Sequence, residues 1–117
     1  MSLRVNLGVA GFVGVTKLGA GSIASDQNLA VNNFYVVQAT SDLTLTLPAP
    51  TGTEDYTGSV IIVKILSLHT NGTITIDRGT GNIDDDTQNI ELDEEGQVIS
   101  LYYVNSTIGW SLGPATL

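Results

Sequence analysis

Few side chains in this sequence have the types and spacing that chemistry requires. His69 is the sole histidine, and it stands beside the Asn71-Gly72 pair. An imidazole acts as a catalytic base only when a nucleophile and an orienting acid are placed around it. No serine or aspartate spacing here singles out such partners, so His69 reads as a turn residue. The carboxylates cluster in two loops, Asp84-Asp85-Asp86 and Asp93-Glu94-Glu95. Calcium takes six to eight oxygen ligands, and Asp84, Asp85 and Asp86 are the candidates to supply some of them. Their spacing is not that of an EF-hand loop, however, and the better reading is a solvated acidic rim. A carboxylate pair for glycoside hydrolysis fails similarly, because the acids lack a surrounding aromatic cleft. Gly11 to Lys17 lacks the Gly-Lys-Ser/Thr ending of a phosphate loop. Asn71-Gly72-Thr73 and Asn105-Ser106-Thr107 fit the glycosylation pattern but read as turns. No catalytic residue and no cofactor is assigned, and the expectation is a protein that is not an enzyme.

The aromatic residues leave a different possibility. Tyr102, Tyr103 and Trp110 can anchor an interface or cover a sugar face. Consecutive residues of a strand point to opposite faces, so at most one of Tyr102 and Tyr103 is interior. Trp110 and one tyrosine are expected to fill the core while the other lines a subunit contact.

The elements that must position these residues are strands. From Asn32 onward apolar residues recur at every second position between Gly, Asn, Asp and Pro. Strands are predicted at Phe34 to Gln38, with Tyr35 and Val37 on one face, and at Asp42 to Leu47. In the latter, Leu43, Leu45 and Leu47 alternate with Thr44 and Thr46 until Pro48 and Pro50 end the ladder. Val60 to Leu66 is nearly continuous in apolar character, the pattern of a central strand covered on both faces. Asn71-Gly72 predicts a type I′ turn joining that strand to Thr73 to Ile76 as a hairpin. Gly79 to Gln88 reads as a polar loop. Asn89 to Leu92 and Val98 to Val104 are further strands, and in the last, near Ile108 to Leu112, residues Ile108, Trp110 and Leu112 are expected to share a face. The prediction is an all-β fold, a single small sandwich or barrel-like domain of about seven short strands.

Residues 1–25 differ from this body (26–117). They hold five glycines, Arg4 and Lys17, and no acid, whereas all twelve acids lie beyond residue 25 with only Lys64 and Arg78 to oppose them. They read as an extended arm of net charge +2 before a body of −10, held down by its own body or by a neighbouring subunit. Arg4 and Lys17 can meet acids on a partner. With Leu7, Phe12, Tyr102 and Tyr103 they form the candidate partner-binding set. The net charge of −8 disfavours nucleic acid and anionic membranes as partners. Leu7 to Val15 is too short for a membrane span and poor as a signal peptide, so a soluble protein made inside the cell is expected. Charged residues form 14% of the chain against about 25% usually, and 117 residues leave a small core for which contact with neighbours matters. Cysteine is absent, so no disulfide or thiolate site contributes.

The ordered series of elements resembles a β-domain of tailed-bacteriophage virion proteins, found in capsid decoration (cement) proteins, head fibres, and tail fibre and tail spike proteins. The matching features are Tyr35, the run Asp42-Leu43-Thr44-Leu45-Thr46-Leu47-Pro48, Gly58 before Val60 to Lys64, and Asn71-Gly72-Thr73-Ile74-Thr75-Ile76. They continue with Gly81-Asn82-Ile83-Asp84, Ile90-Glu91-Leu92, and Val98 to Leu101 closing at Trp110, so that about residues 33–112 are covered. The resemblance implies a homotrimeric structural or adhesive module. Its partners would be copies of itself and the major capsid protein or another virion protein, on the capsid surface of a particle assembled in the host cytoplasm. The free-standing length and the arm favour capsid decoration over a tail adhesin that binds a receptor or glycan.

Overall fold

The computed structural model describes residues 17–114. The described residues form nine strands: β1 (Lys17–Ile23), β2 (Gln27–Asn28), β3 (Asn33–Ala39), β4 (Leu43–Thr46), β5 (Val60–Leu68), β6 (Ile74–Asp77), β7 (Ile90–Leu92), β8 (Val98–Asn105) and β9 (Gly109–Pro114). The described residues contain no helix, and hence none long and apolar enough to cross a membrane. The fold is all-β, as expected, with the seven anticipated strands joined by β1 and β2.

The strands make two sheets, one ordered β1-β3-β5-β8-β9 and the other β2-β4-β6-β7. The first six strands alternate between them. β1, β3 and β5 run parallel in the larger sheet, and β2, β4 and β6 run parallel in the smaller. Each pair β1–β2, β3–β4 and β5–β6 is therefore one coil, stacked on the next. β7, β8 and β9 then close the stack with antiparallel pairings. One apolar core lies between the sheets, built from alternate residues on each side. Leu43, Leu45 and Leu47 are buried there as their spacing requires, facing Val37, Ile61, Val63, Ile65 and Leu101.

The coiled path overturns the hairpin expected at Asn71-Gly72. β5 and β6 belong to different sheets, and β6 pairs with β4 and β7 instead. The turn spans His69 to Gly72, closed by the Gly72 amide donating to the His69 carbonyl at 2.9 Å. Only Asn71 has positive φ (57°), whereas a type I′ turn needs it at both central residues. Gly72 is needed for another reason: a Cβ there would lie 2.4 Å from Cε1 of the His69 ring. The Asp42 carboxylate holds the crossing, accepting from the Thr73 amide (3.0 Å) and lying 2.8 Å from His69 Nε2.

The type I′ geometry appears instead within the segment read as a polar loop. Asp84 (φ 51°) and Asp85 (φ 61°) are its central residues, and Ile83 and Asp86 exchange both backbone hydrogen bonds at 3.0 Å. This turn seals the free edge of β9. The Trp110 amide donates to the Asn82 carbonyl, the Asp84 amide to the Trp110 carbonyl, and the Asp85 amide to the Ile108 carbonyl.

The close approach explains Gly109, whose φ is +73° and where a Cβ would stand 2.0 Å from the Asn82 carbonyl oxygen. Gly109→Ala is expected to destabilise the fold by at least about 1–3 kcal/mol through the strained backbone alone. Gly52→Ala is the control, because Gly52 has φ +83° with open space around it. Urea unfolding of both variants should show a clearly larger loss for Gly109→Ala; equal losses would mean that the packing against Asn82 is unimportant.

Candidate interaction surfaces

The candidate partner-binding residues separate when placed on the fold. Arg4, Leu7 and Phe12 lie outside the described residues. Lys17 opens β1, so part of the segment read as an arm, Lys17–Ile23, is a strand paired to β3, the outermost of its sheet among the described residues. Tyr103 is in the core with 8% exposure, whereas its neighbour Tyr102 is 39% exposed. Tyr103 is therefore corrected from a contact residue to a core residue. Its ring stands edge-on to Trp110 at 5.3 Å and to Tyr56 at 5.9 Å. Trp110 is 1% exposed and donates its indole N–H to the Pro48 carbonyl at 2.9 Å, tying β9 to the loop after β4.

Leu112 and Trp110 share a face, as their spacing requires. Leu112 lies opposite Leu101, as Trp110 lies opposite Tyr103, yet it is 40% exposed. β9 is the outer strand of a five-stranded sheet facing a four-stranded one, and the smaller sheet does not cover it there. Ile108 precedes the strand and is half-buried.

Tyr102 belongs to an apolar surface that the sequence reading did not assemble. On the face of the five-stranded sheet turned from the core, register places Phe34 beside Ile62 and Ser100, and Val36 beside Lys64 and Val98. Val60 lies beside Tyr102. Val60 and Ile62 are buried although they stand outside the inter-sheet cluster. Leu66, Tyr102 and Val104 are exposed. No acid occupies this face of β3, β5, β8 or β9, and Lys64 is its charged residue. The signal was present in β5 and β8, where both alternating sets are apolar: Val60 and Ile62 besides Ile61 and Val63, Val98 and Val104 besides Ile99 and Leu101. The large apolar side chains that this face leaves exposed are those of Leu66, Tyr102 and Val104.

The opposite side of the molecule is polar. The outward face of the smaller sheet carries an open groove of about 690 Å³ lined by Thr75, Asp77, Arg78, Thr87, Asn89 and Glu91, among others. The Arg78 guanidinium donates to the carbonyls of Thr87 (3.0 Å) and Gly81 (2.7 Å), and Asn89 Oδ1 accepts from the Arg78 amide at 3.0 Å. These bonds fix the groove wall.

The calcium candidates do not converge. Asp84 accepts from the Ser111 hydroxyl (2.9 Å) and the Leu112 amide (3.3 Å), so its carboxylate serves the β9 seal. Among the described residues no group of three acidic, histidine or cysteine side chains is arranged to hold a metal.

His69 pairs with Asp42, which the Thr73 amide first and the His69 ring second hold below its ordinary pKa of 3.8. A carboxylate depressed by folding contributes stability above its unfolded pKa and loses it as pH falls through the folded one. Asp42→Asn is therefore expected to cost stability at pH 7 and to flatten the decline below about pH 4, read from urea midpoints at both pH values. An unchanged acid limb would remove Asp42 from the account.

No family model and no curated protein matches this chain.

Proposed function

We propose that this chain is a virion structural subunit: a capsid decoration or head-fibre protein that binds the outer surface of a phage capsid and stabilises it, as a homotrimer, without catalysis. The observation that carries the reading is the acid-free apolar face of the five-stranded sheet on a chain of net charge −8. Copies of so acidic a chain repel one another, and contact through Leu66, Tyr102 and Val104, the exposed apolar residues of this face, would bring no acid of β3, β5, β8 or β9 into the interface. Burial there contributes roughly 25 cal/mol per Å², less the cost of association. Many copies bridging neighbouring capsid subunits would add that contact across the shell.

The test is co-sedimentation with capsids that lack the protein. Saturable pelleting that raises the temperature at which the capsids open is expected; protein that stays in the supernatant counts against decoration. The second reading, a tail fibre or spike adhesin, draws on the polar groove beside Arg78, whose fixed donors and acceptors suit a hydroxyl-rich ligand. Glycan-array binding that is lost on Asp77→Ala and Glu91→Ala, with no affinity for capsids, would favour it.

A further inference from the structure

Among the described residues the exposed large apolar side chains are those of Leu66, Tyr102, Val104 and Leu112, and they do not share one side of the molecule. The first three belong to the outer face of the five-stranded sheet, whose charged residue is the half-buried Lys64. Leu112 lies on the inner face of β9, at the step where the smaller sheet stops at β7. A ring of three copies joins one surface of each to a different surface of the next, because a patch that fits itself closes as a two-fold pair. The homotrimer proposed above, on which the following inference rests, therefore needs a second surface that fits the first.

The step beside Leu112 complements the outer face in charge as well as in exposed apolar area. Lys64 makes no ion pair among the described residues. Acids flank Leu112 on both sides: Asp84 accepts from its amide at 3.3 Å, and β7 with the turn after it carries Glu91, Asp93 and Glu94, all exposed. Asp84 is engaged in sealing β9, and Glu95 is held by the Leu68 amide at 2.9 Å. Register matches the two surfaces at two levels along the strands. Tyr102 stands opposite Ser111, beside Leu112, and Lys64 stands opposite Val98, where β8 leaves the turn that holds Asp93 and Glu94. A three-fold axis along the strands keeps each level facing the same level, so it sets Tyr102 against Leu112 and Lys64 against the carboxylates.

We propose that the contact between copies is heterologous: the outer face of one copy, through Tyr102 and Lys64, docks on the step formed by Leu112 and β7 of a second copy. The second copy is the occupant because its outer face carries the aromatic ring and the cation that an apolar step rimmed by carboxylates accepts. Pairing the outer face with itself would instead bring Lys64 towards Lys64 and leave Leu112 in water. Opposite charges across the contact fix its orientation.

Light scattering on single and mixed variants of the full chain tests it. Leu112→Lys breaks the step and keeps the face, whereas Tyr102→Asp with Val104→Asp breaks the face and keeps the step. Each alone should be a monomer, with circular dichroism showing that it is folded. Mixed in equal amounts, they should form two-chain complexes, since the intact face of one fits the intact step of the other. A mixture that stays monomeric would overturn the proposal, as would a Leu112→Lys variant that remains a trimer, and in both cases the parent trimer would still stand. A monomeric parent would remove the homotrimer and this contact together. As a second measurement, Lys64→Glu should lose the trimer, and Lys64→Glu combined with Glu94→Lys should recover it. Trimers that persist in Lys64→Glu, or a loss without recovery, would contradict the pairing of Lys64 with the turn after β7.

Discussion

Trp110→Ala is expected to lower the free energy of unfolding by about 3–5 kcal/mol, the range for removing a buried aromatic side chain and leaving a cavity. The site has little scope to relax. The indole is 1% exposed, wedged edge-on against Tyr103, and bound through its N–H to the Pro48 carbonyl. Loss of the ring also leaves that carbonyl without its indole donor and loosens the loop that follows β4. Against a total stability of about 5–15 kcal/mol for a domain, much of the folded population would be lost. Trp110→Phe separates the contributions, since it keeps most of the volume and removes the hydrogen bond. It should cost clearly less, and urea unfolding of both variants checks this. A Trp110→Ala loss below about 1 kcal/mol, the level of an ordinary surface change, would contradict the placement of Trp110 in the core.

The second large effect concerns association. Tyr102→Asp combined with Val104→Asp places two carboxylates on the acid-free face at positions that are 39% and 37% exposed. Because both side chains point away from the inter-sheet core, the variant is expected to keep the melting temperature of an isolated subunit. In an assembled interface the same charges would be desolvated without partners, which costs several kcal/mol. The expected outcome is complete loss of self-association and of capsid co-sedimentation, with a folded monomer remaining. Asp substitutions at Thr44 and Thr75, on the opposite sheet, should leave association intact. If the Tyr102 and Val104 variant associates as the parent does, this face is not the contact.

The elements most legible in the sequence are those whose pattern is local. Leu43, Leu45 and Leu47 announce β4 by alternation alone, and the unbroken run from Val60 marks β5 as central. The opposition of Tyr102 and Tyr103 follows from strand geometry, and it placed one ring inside and one outside. What stayed hidden depends on distant partners. Lys17–Ile23 is glycine-rich and weak in strand propensity, and it is a strand because β3 offers an edge, a fact no local window contains. Asn71-Gly72 carries the strongest short-range hairpin signal, yet β6 is drawn to β4 because Leu43 and Leu45 stack directly on Ile74 and Ile76. Tertiary pairing outweighed turn chemistry there, while Asp84-Asp85 adopted the tight turn without a glycine. The apolar outer face could have been found by noting that both alternating sets of β5 and β8 are apolar. Leu112 could not, because its exposure follows from the unequal width of the two sheets.

The most direct test of a subunit that acts by packing is its mass in solution. Light scattering on the purified protein should return three times the 12.3 kDa of the chain, and the Tyr102 and Val104 double variant should return one. A stable parent monomer at every accessible concentration would contradict the account, leaving the apolar face without the partner on which the proposed function depends.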